Sequence, residues 1–188
     1  WLAAEDAASH GTGHLAREID MNLGEPPPIF LCDAMLGGLA RWLRAAGYDA
    51  WFDVHVRNGE LVRRALEEHR CLLTSDSGIL ERHAVSEGLV DYVFVPLGLS
   101  TMEQVGHVMA ALNLRLRDSR CMECGGELAH VAPAEVEAEI PKRVKEWATQ
   151  FYRCSGCAKV YWRGTHWESI QRRLRRVMNL AGMETAPE

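Results

Sequence analysis

Two Cys-x-x-Cys pairs, Cys121/Cys124 and Cys154/Cys157, stand 29 residues apart in the C-terminal third of the chain. Each pair places two sulfurs on one tight turn, and four thiolates can close a tetrahedral zinc site. Gly125, Gly126 and Gly156 supply the permissive backbone that such turns need. The intervening segment is long enough for a small antiparallel sheet. The pattern therefore predicts a zinc ribbon with Cys121, Cys124, Cys154 and Cys157 as ligands. Disulfides are the competing reading, but they require an oxidising compartment for which the sequence offers no sign. A redox Cys-x-x-Cys normally occurs once, at a helix start after a strand. With four protein ligands the zinc has no open position, so it is expected to be structural. Cys32 and Cys71 each sit inside an apolar run and read as small buried hydrophobes.

Ahead of the ribbon the texture is different. Residues 1–28, with Gly11, Gly13, Gly24 and Pro26-Pro27-Pro28, read as a tail or linker, with one short helical turn at Leu15–Met21. The start on Trp1 reads as a fragment or processed product, and no secretory signal pattern is present. From residue 29 short apolar runs alternate with amphipathic stretches. Strands are expected at Ile29–Cys32, Ala50–Phe52, Cys71–Thr74 and Tyr92–Val95. Helices are expected from Leu36 to a stop at Gly47, over Glu60–His69, over Ile79–Ser86, and after a Ser100/Glu103 capping box. Continuous apolar strands alternating with helices imply a parallel sheet covered on both faces. Residues 29–114 are thus read as one α/β unit and 115–180 as the ribbon with a basic C-terminal helix, followed by a short tail, 181–188.

Charge follows the same division. The chain carries a net −5, but residues 1–114 hold 8 basic against 16 acidic side chains, and residues 115–176 hold 13 against 8. An acidic front and a basic back suggest two modules with different tasks. No apolar run approaches the roughly 20 residues of a membrane helix, so a cytoplasmic protein without a membrane partner is expected.

Ligands of open α/β sheets bind beyond the carboxyl ends of the strands. Asp33 and Asp76 both stand there, each directly after an apolar run. Neighbouring parallel strands lie about 5 Å apart, so two such acids can share a site. Carboxylates suit Mg²⁺ or Mn²⁺, and Glu60, at the start of the second helix, is a third contributor. The same positions also suit helix N-caps, and the pattern alone leaves both readings open. Arg41 and Arg44 share a flank of the first helix, placed either for phosphates or as a solvated face.

The stretches FLCDAMLGGLARWLRAAGYDA, GELVRRALEEHRCLLTSDSGIL and CSGCAKVYWRGTHW, in this order, closely resemble the Mut-seven-C RNase family. The resemblance covers residues 29 to about 178. It implies a PIN-like parallel sheet sandwiched by helices, an appended zinc ribbon and a C-terminal helix. It also implies metal-dependent cleavage of single-stranded or structured RNA, with ribosomal RNA and tRNA among the possible partners. On this resemblance Asp33 matches the first acid, Asp76 the acid of a T-x-D element, and Thr74 its hydroxyl partner. Arg41 and Arg44 match an A-R-W-L-R helix. The family pattern has an acid sixteen residues before that threonine; here the position is Asn58, followed by Gly59 and Glu60. Gly38 stands where a basic residue is usual.

Two functions follow. The first is a ribonuclease with Asp33, Asp76, Glu60 and Asn58 around Mg²⁺ or Mn²⁺. The second is a catalytically weak or inactive RNA- or ribosome-binding module. In either case Arg163, His166, Arg172 and Arg173, with Tyr152, Tyr161, Trp162 and Trp167, are the expected RNA contacts of the basic half.

Overall fold

The computed structural model describes residues 26–180 and Gly182. Most of the expected tail, including the turn at Leu15–Met21, and most of 181–188 lie outside the described residues. Strands β1 (Phe30–Cys32), β2 (Ala50–Phe52), β3 (Cys71–Thr74) and β4 (Tyr92–Phe94) alternate with helices α1 (Gly37–Ala45), α2 (Asn58–Glu68), α3 (Ser77–Leu80), α4 (His83–Ser86) and α5 (Thr101–Ala111). All pairings are parallel, in the order β2-β1-β3-β4. The crossovers put helices on both faces, as buried, continuously apolar strands require.

Alternation along the strands divides the core in two. Phe30, Cys32, Leu73 and Val93 face a large cluster with Leu39, Leu43, Val105, Val108 and Met109. Leu31 and Leu72 face the opposite cluster with Leu61, Ala65, Ile79 and Val85. The Ser100/Glu103 capping box forms as expected, and Gly47 ends the first helical stretch at φ 99°.

One expected helix, Ile79–Ser86, is instead two single turns, α3 and α4, separated by an extended Arg82. Packing explains the break. Residues six apart on a straight helix point about 120° apart. Ile79 and Val85 both enter the same cluster, and the extended Arg82 lets each reach it from its own turn.

The second sheet contains β5 (Leu128–Val131), β6 (Phe151–Cys154) and β7 (Val160–Trp162), antiparallel in the order β5-β6-β7. Short helices α6 (Pro133–Val136) and α7 (Lys142–Lys145) fill the excursion between β5 and β6. Val136, Ile140, Val144, Ala148 and Phe151 form this unit's own small core. The C-terminal helix α8 (Thr165–Leu180) buries Ile170, Leu174 and Met178, one face at i, i+4, i+8. These residues enter the large cluster of the parallel sheet, not the ribbon core. Helix α8 thus starts at the ribbon and packs along α5.

Candidate functional site

Asp33 follows β1 and Thr74 ends β3, on neighbouring strands. Asp33 is 4% exposed. Its Oδ2 accepts hydrogen bonds from Thr74 Oγ1 at 2.7 Å and from the Ser75 N–H at 2.8 Å; its Oδ1 accepts from the Met35 N–H at 2.9 Å. Thr74 Oγ1 in turn accepts from the Asp76 N–H at 3.0 Å. Asp76 caps α3 through Gly78, so the N-cap reading holds for it. Its other oxygen accepts from Asn58 Nδ2 at 2.7 Å. Asn58, Asp76, Thr74 and Asp33 therefore form one hydrogen-bonded chain across the carboxyl end of the sheet.

Glu60 does not join this chain. It lies two residues beyond Asn58, about 200° around α2, and its exposed carboxylate pairs with Arg63 at 2.6 Å. The Arg63 hydrogen bond holds it below the usual carboxylate range. Asp53 accepts from the His55 N–H in an exposed turn. Among the described residues no three carboxylates bring oxygens within 4.8 Å of one another; the four cysteines are the group that meets this criterion.

The four Sγ atoms of Cys121, Cys124, Cys154 and Cys157 do converge. Cys121 and Cys157 are 3.6 Å apart, Cys124 and Cys154 3.4 Å. Zn–S bonds of about 2.3 Å in a tetrahedron put sulfurs about 3.8 Å apart, so the cluster fits a zinc ion closely. Backbone N–H groups of Gly126, Gly156 and Cys157 point at sulfurs. At Gly126 a Cβ would lie 2.8 Å from Cys154 Sγ, so the knuckle needs a residue without one. Burial opposes ionisation of Cys121, but the Tyr161 hydroxyl at 3.0 Å and the backbone of Cys124 and Glu123 outweigh it and bring the thiol down to about 6. Cys32 and Cys71 are free and buried, and burial pushes both thiols far up, leaving them unreactive.

The expected phosphate-binding residues separate. Arg44 is a correction: it is buried, 7% exposed. Its guanidinium donates to the carbonyls of Ala50 (2.7 Å), Met122 (3.3 Å) and Glu123 (2.7 Å). It ties α1 and β2 to the first cysteine knuckle, and its donors face protein carbonyls rather than phosphates. Arg41 is exposed and pairs with Glu123 at 3.3 Å. His166 lines a cavity between α1, the ribbon and the start of α8. Arg163 and Arg172 line an adjoining groove, whereas Arg173 faces α5 with Met102 and His107. Tyr161 is held at Cys121, and Trp162 packs on the ribbon core.

Sequence reasoning passed over Trp147, Glu123 and Lys159, which line the same cavity. The signal for Trp147 was a lone aromatic after Lys142, Arg143 and Lys145. None of the described helices is long and apolar enough to cross a membrane.

No curated protein and no solved structure matches this chain. A family model, described as the Mut7-C RNAse domain, matches residues 28–174. That span takes in the parallel sheet, its carboxylate end, both cysteine knuckles and α8 as far as Leu174, and on this match the chain belongs to the Mut7-C RNase domain family.

Proposed function

We propose that this protein is a metal-dependent ribonuclease that hydrolyses RNA phosphodiester bonds at the carboxyl end of β1 and β3. The observation that carries this reading is the hydrogen-bonded chain of Asp33, Thr74, Asp76 and Asn58. Two carboxylates and the Asn58 carbonyl are hard oxygen donors of the kind that hold Mg²⁺ or Mn²⁺. Such an ion, when bound, supplies a ligated water of lowered pKa and offsets charge on the phosphate.

The chain's own residues prepare that site. Thr74 and two backbone N–H groups fix the Asp33 carboxylate while leaving about one of its four lone-pair sites unengaged. Asp76 is oriented by its own cap on α3. The Asn58 amide must turn for its carbonyl to serve, which frees an Asp76 oxygen. This small donor set suits one ion better than two. Water adds to phosphorus, the ribose 3′ oxygen leaves, and the downstream product keeps a 5′-phosphate.

The four cysteines are the proposed seat of a structural zinc ion that sets the ribbon against α1 through Arg44. The ribbon and α8 supply the basic surface for RNA.

A catalytically weak RNA-binding module is the second reading. It is favoured by one contact: Asn58 donates to an oxygen of Asp76 that a metal would need, and it brings no negative charge. Variants separate the roles. Asp76→Asn should lower the cleavage rate of an unstructured RNA by about 100-fold or more, while Glu60→Gln stays within about twofold. Equal loss in both, or in neither, contradicts this assignment.

A further inference from the structure

The cavity bounded by α1, the ribbon and the start of α8 encloses about 480 Å³, within the range of small-ligand pockets. Its walls are aromatic, with Trp147, Tyr161, Trp162 and Trp167 all contributing. Trp147 is 52% exposed, yet its ring is held in place. It lies over Gly164, where a Cβ would come within 2.5 Å of the ring. An indole braced by backbone and open to solvent is a platform for stacking. The lining is also cationic: Arg41, Arg120, Arg143 and Lys159 stand against one acid, Glu123. Glu123 bridges Arg41 at 3.3 Å and Lys159 at 3.1 Å.

Trp167 is shared with a second concavity that also contains Arg163, Gln171, Arg172, Arg175 and one acid, Glu168. On α8, residues 168, 172 and 175 fall at i, i+4, i+7, away from the face that buries Ile170, Leu174 and Met178. The fold therefore does not need this basic flank for its core. Bases stack on aromatic rings and phosphates seek cations, and here the two chemistries adjoin at one residue.

We infer that single-stranded RNA seats one base in this cavity and lays the adjoining phosphates along Arg163 and Arg172. The inference rests on RNA being the substrate. An apolar protein side chain would also suit the walls, but with Arg120 paired to Glu127 it would still bury Arg41, Arg143 and Lys159 against Glu123 alone, a poor electrostatic match. A nucleotide brings the missing negative charge.

The test uses the full chain carrying Asp76→Asn, so that RNA is bound without being consumed. Fluorescence anisotropy of a labelled single-stranded RNA of mixed sequence measures affinity, and tryptophan emission reports on the cavity. Adding Trp147→Ala should weaken binding by about tenfold and remove most of the RNA-dependent change in emission, and Trp147→Phe should restore affinity. Arg172→Gln should weaken binding across sequences and reduce the salt slope by about one. Circular dichroism and zinc content should match the parent in each variant. RNA bound equally well with and without Trp147→Ala would overturn the inference while leaving the RNA reading intact, and would point to an apolar protein occupant. A folded chain that binds no RNA at all would end both.

Discussion

In the proposed reaction, Asn58 is the residue on which the chemistry turns. Its amide donates to Asp76 at 2.7 Å, so an acid is replaced by a donor that keeps the neighbouring carboxylate in place. Asn58→Asp would remove that hydrogen bond and put a third negative charge beside Asp76. The expected outcome is about tenfold tighter Mn²⁺ dependence of cleavage, with a small loss of stability from repulsion in the metal-free protein. A titration of activity against Mn²⁺, beside thermal melts with and without the ion, checks both signs. The placement of Asp33, Thr74 and Asp76 at the carboxyl end of the sheet was legible in the sequence because strand ends in a parallel sheet fix where such residues go. Glu60 was misplaced because two steps along a helix reverse the direction of a side chain, and because Arg63 offered it a nearer partner. Arg44 was misread for a related reason. Spacing puts it on the flank of Arg41, yet three carbonyls from β2 and the knuckle draw its guanidinium inward, and no local pattern encodes those carbonyls.

The strands and longer helices follow from periodicity, capping and glycine stops, which are local. Helix α8 does not. Its apolar spacing was visible, but the surface it would cover was not, and the ribbon was the nearer candidate in sequence. Leu174, 1% exposed, packs instead in the large cluster of the parallel sheet. Leu174→Ala should therefore cost about 2–5 kcal/mol, read as a shift of the main unfolding transition. If α8 belonged to the ribbon alone, the substitution would leave that transition unmoved. The break between α3 and α4 was similarly hidden, because it serves two side chains, Ile79 and Val85, that must reach one cluster from different turns.

The arrangement as a whole joins an acidic sheet end, the proposed catalytic site, to a basic, aromatic face built by the ribbon and α8, with Arg44 as the strut between α1 and the knuckle. Charge segregation along the chain already suggested this division of labour. The cavity beside Trp147 was not foreseeable, since its walls come from β7, α1, α8 and the segment after α7. Hydrolysis at the carboxylate end is the central claim for this fold. The most direct measurement is cleavage of an end-labelled unstructured RNA by the full chain with Mn²⁺, with Mg²⁺ or with no added divalent ion, beside Asp33→Asn. The expected result is cleavage that requires an added divalent ion, leaves 5′-phosphate ends, and falls by about 100-fold or more in Asp33→Asn. Cleavage that persists unchanged in Asp33→Asn, or RNA that stays intact under every metal while remaining bound, would contradict it.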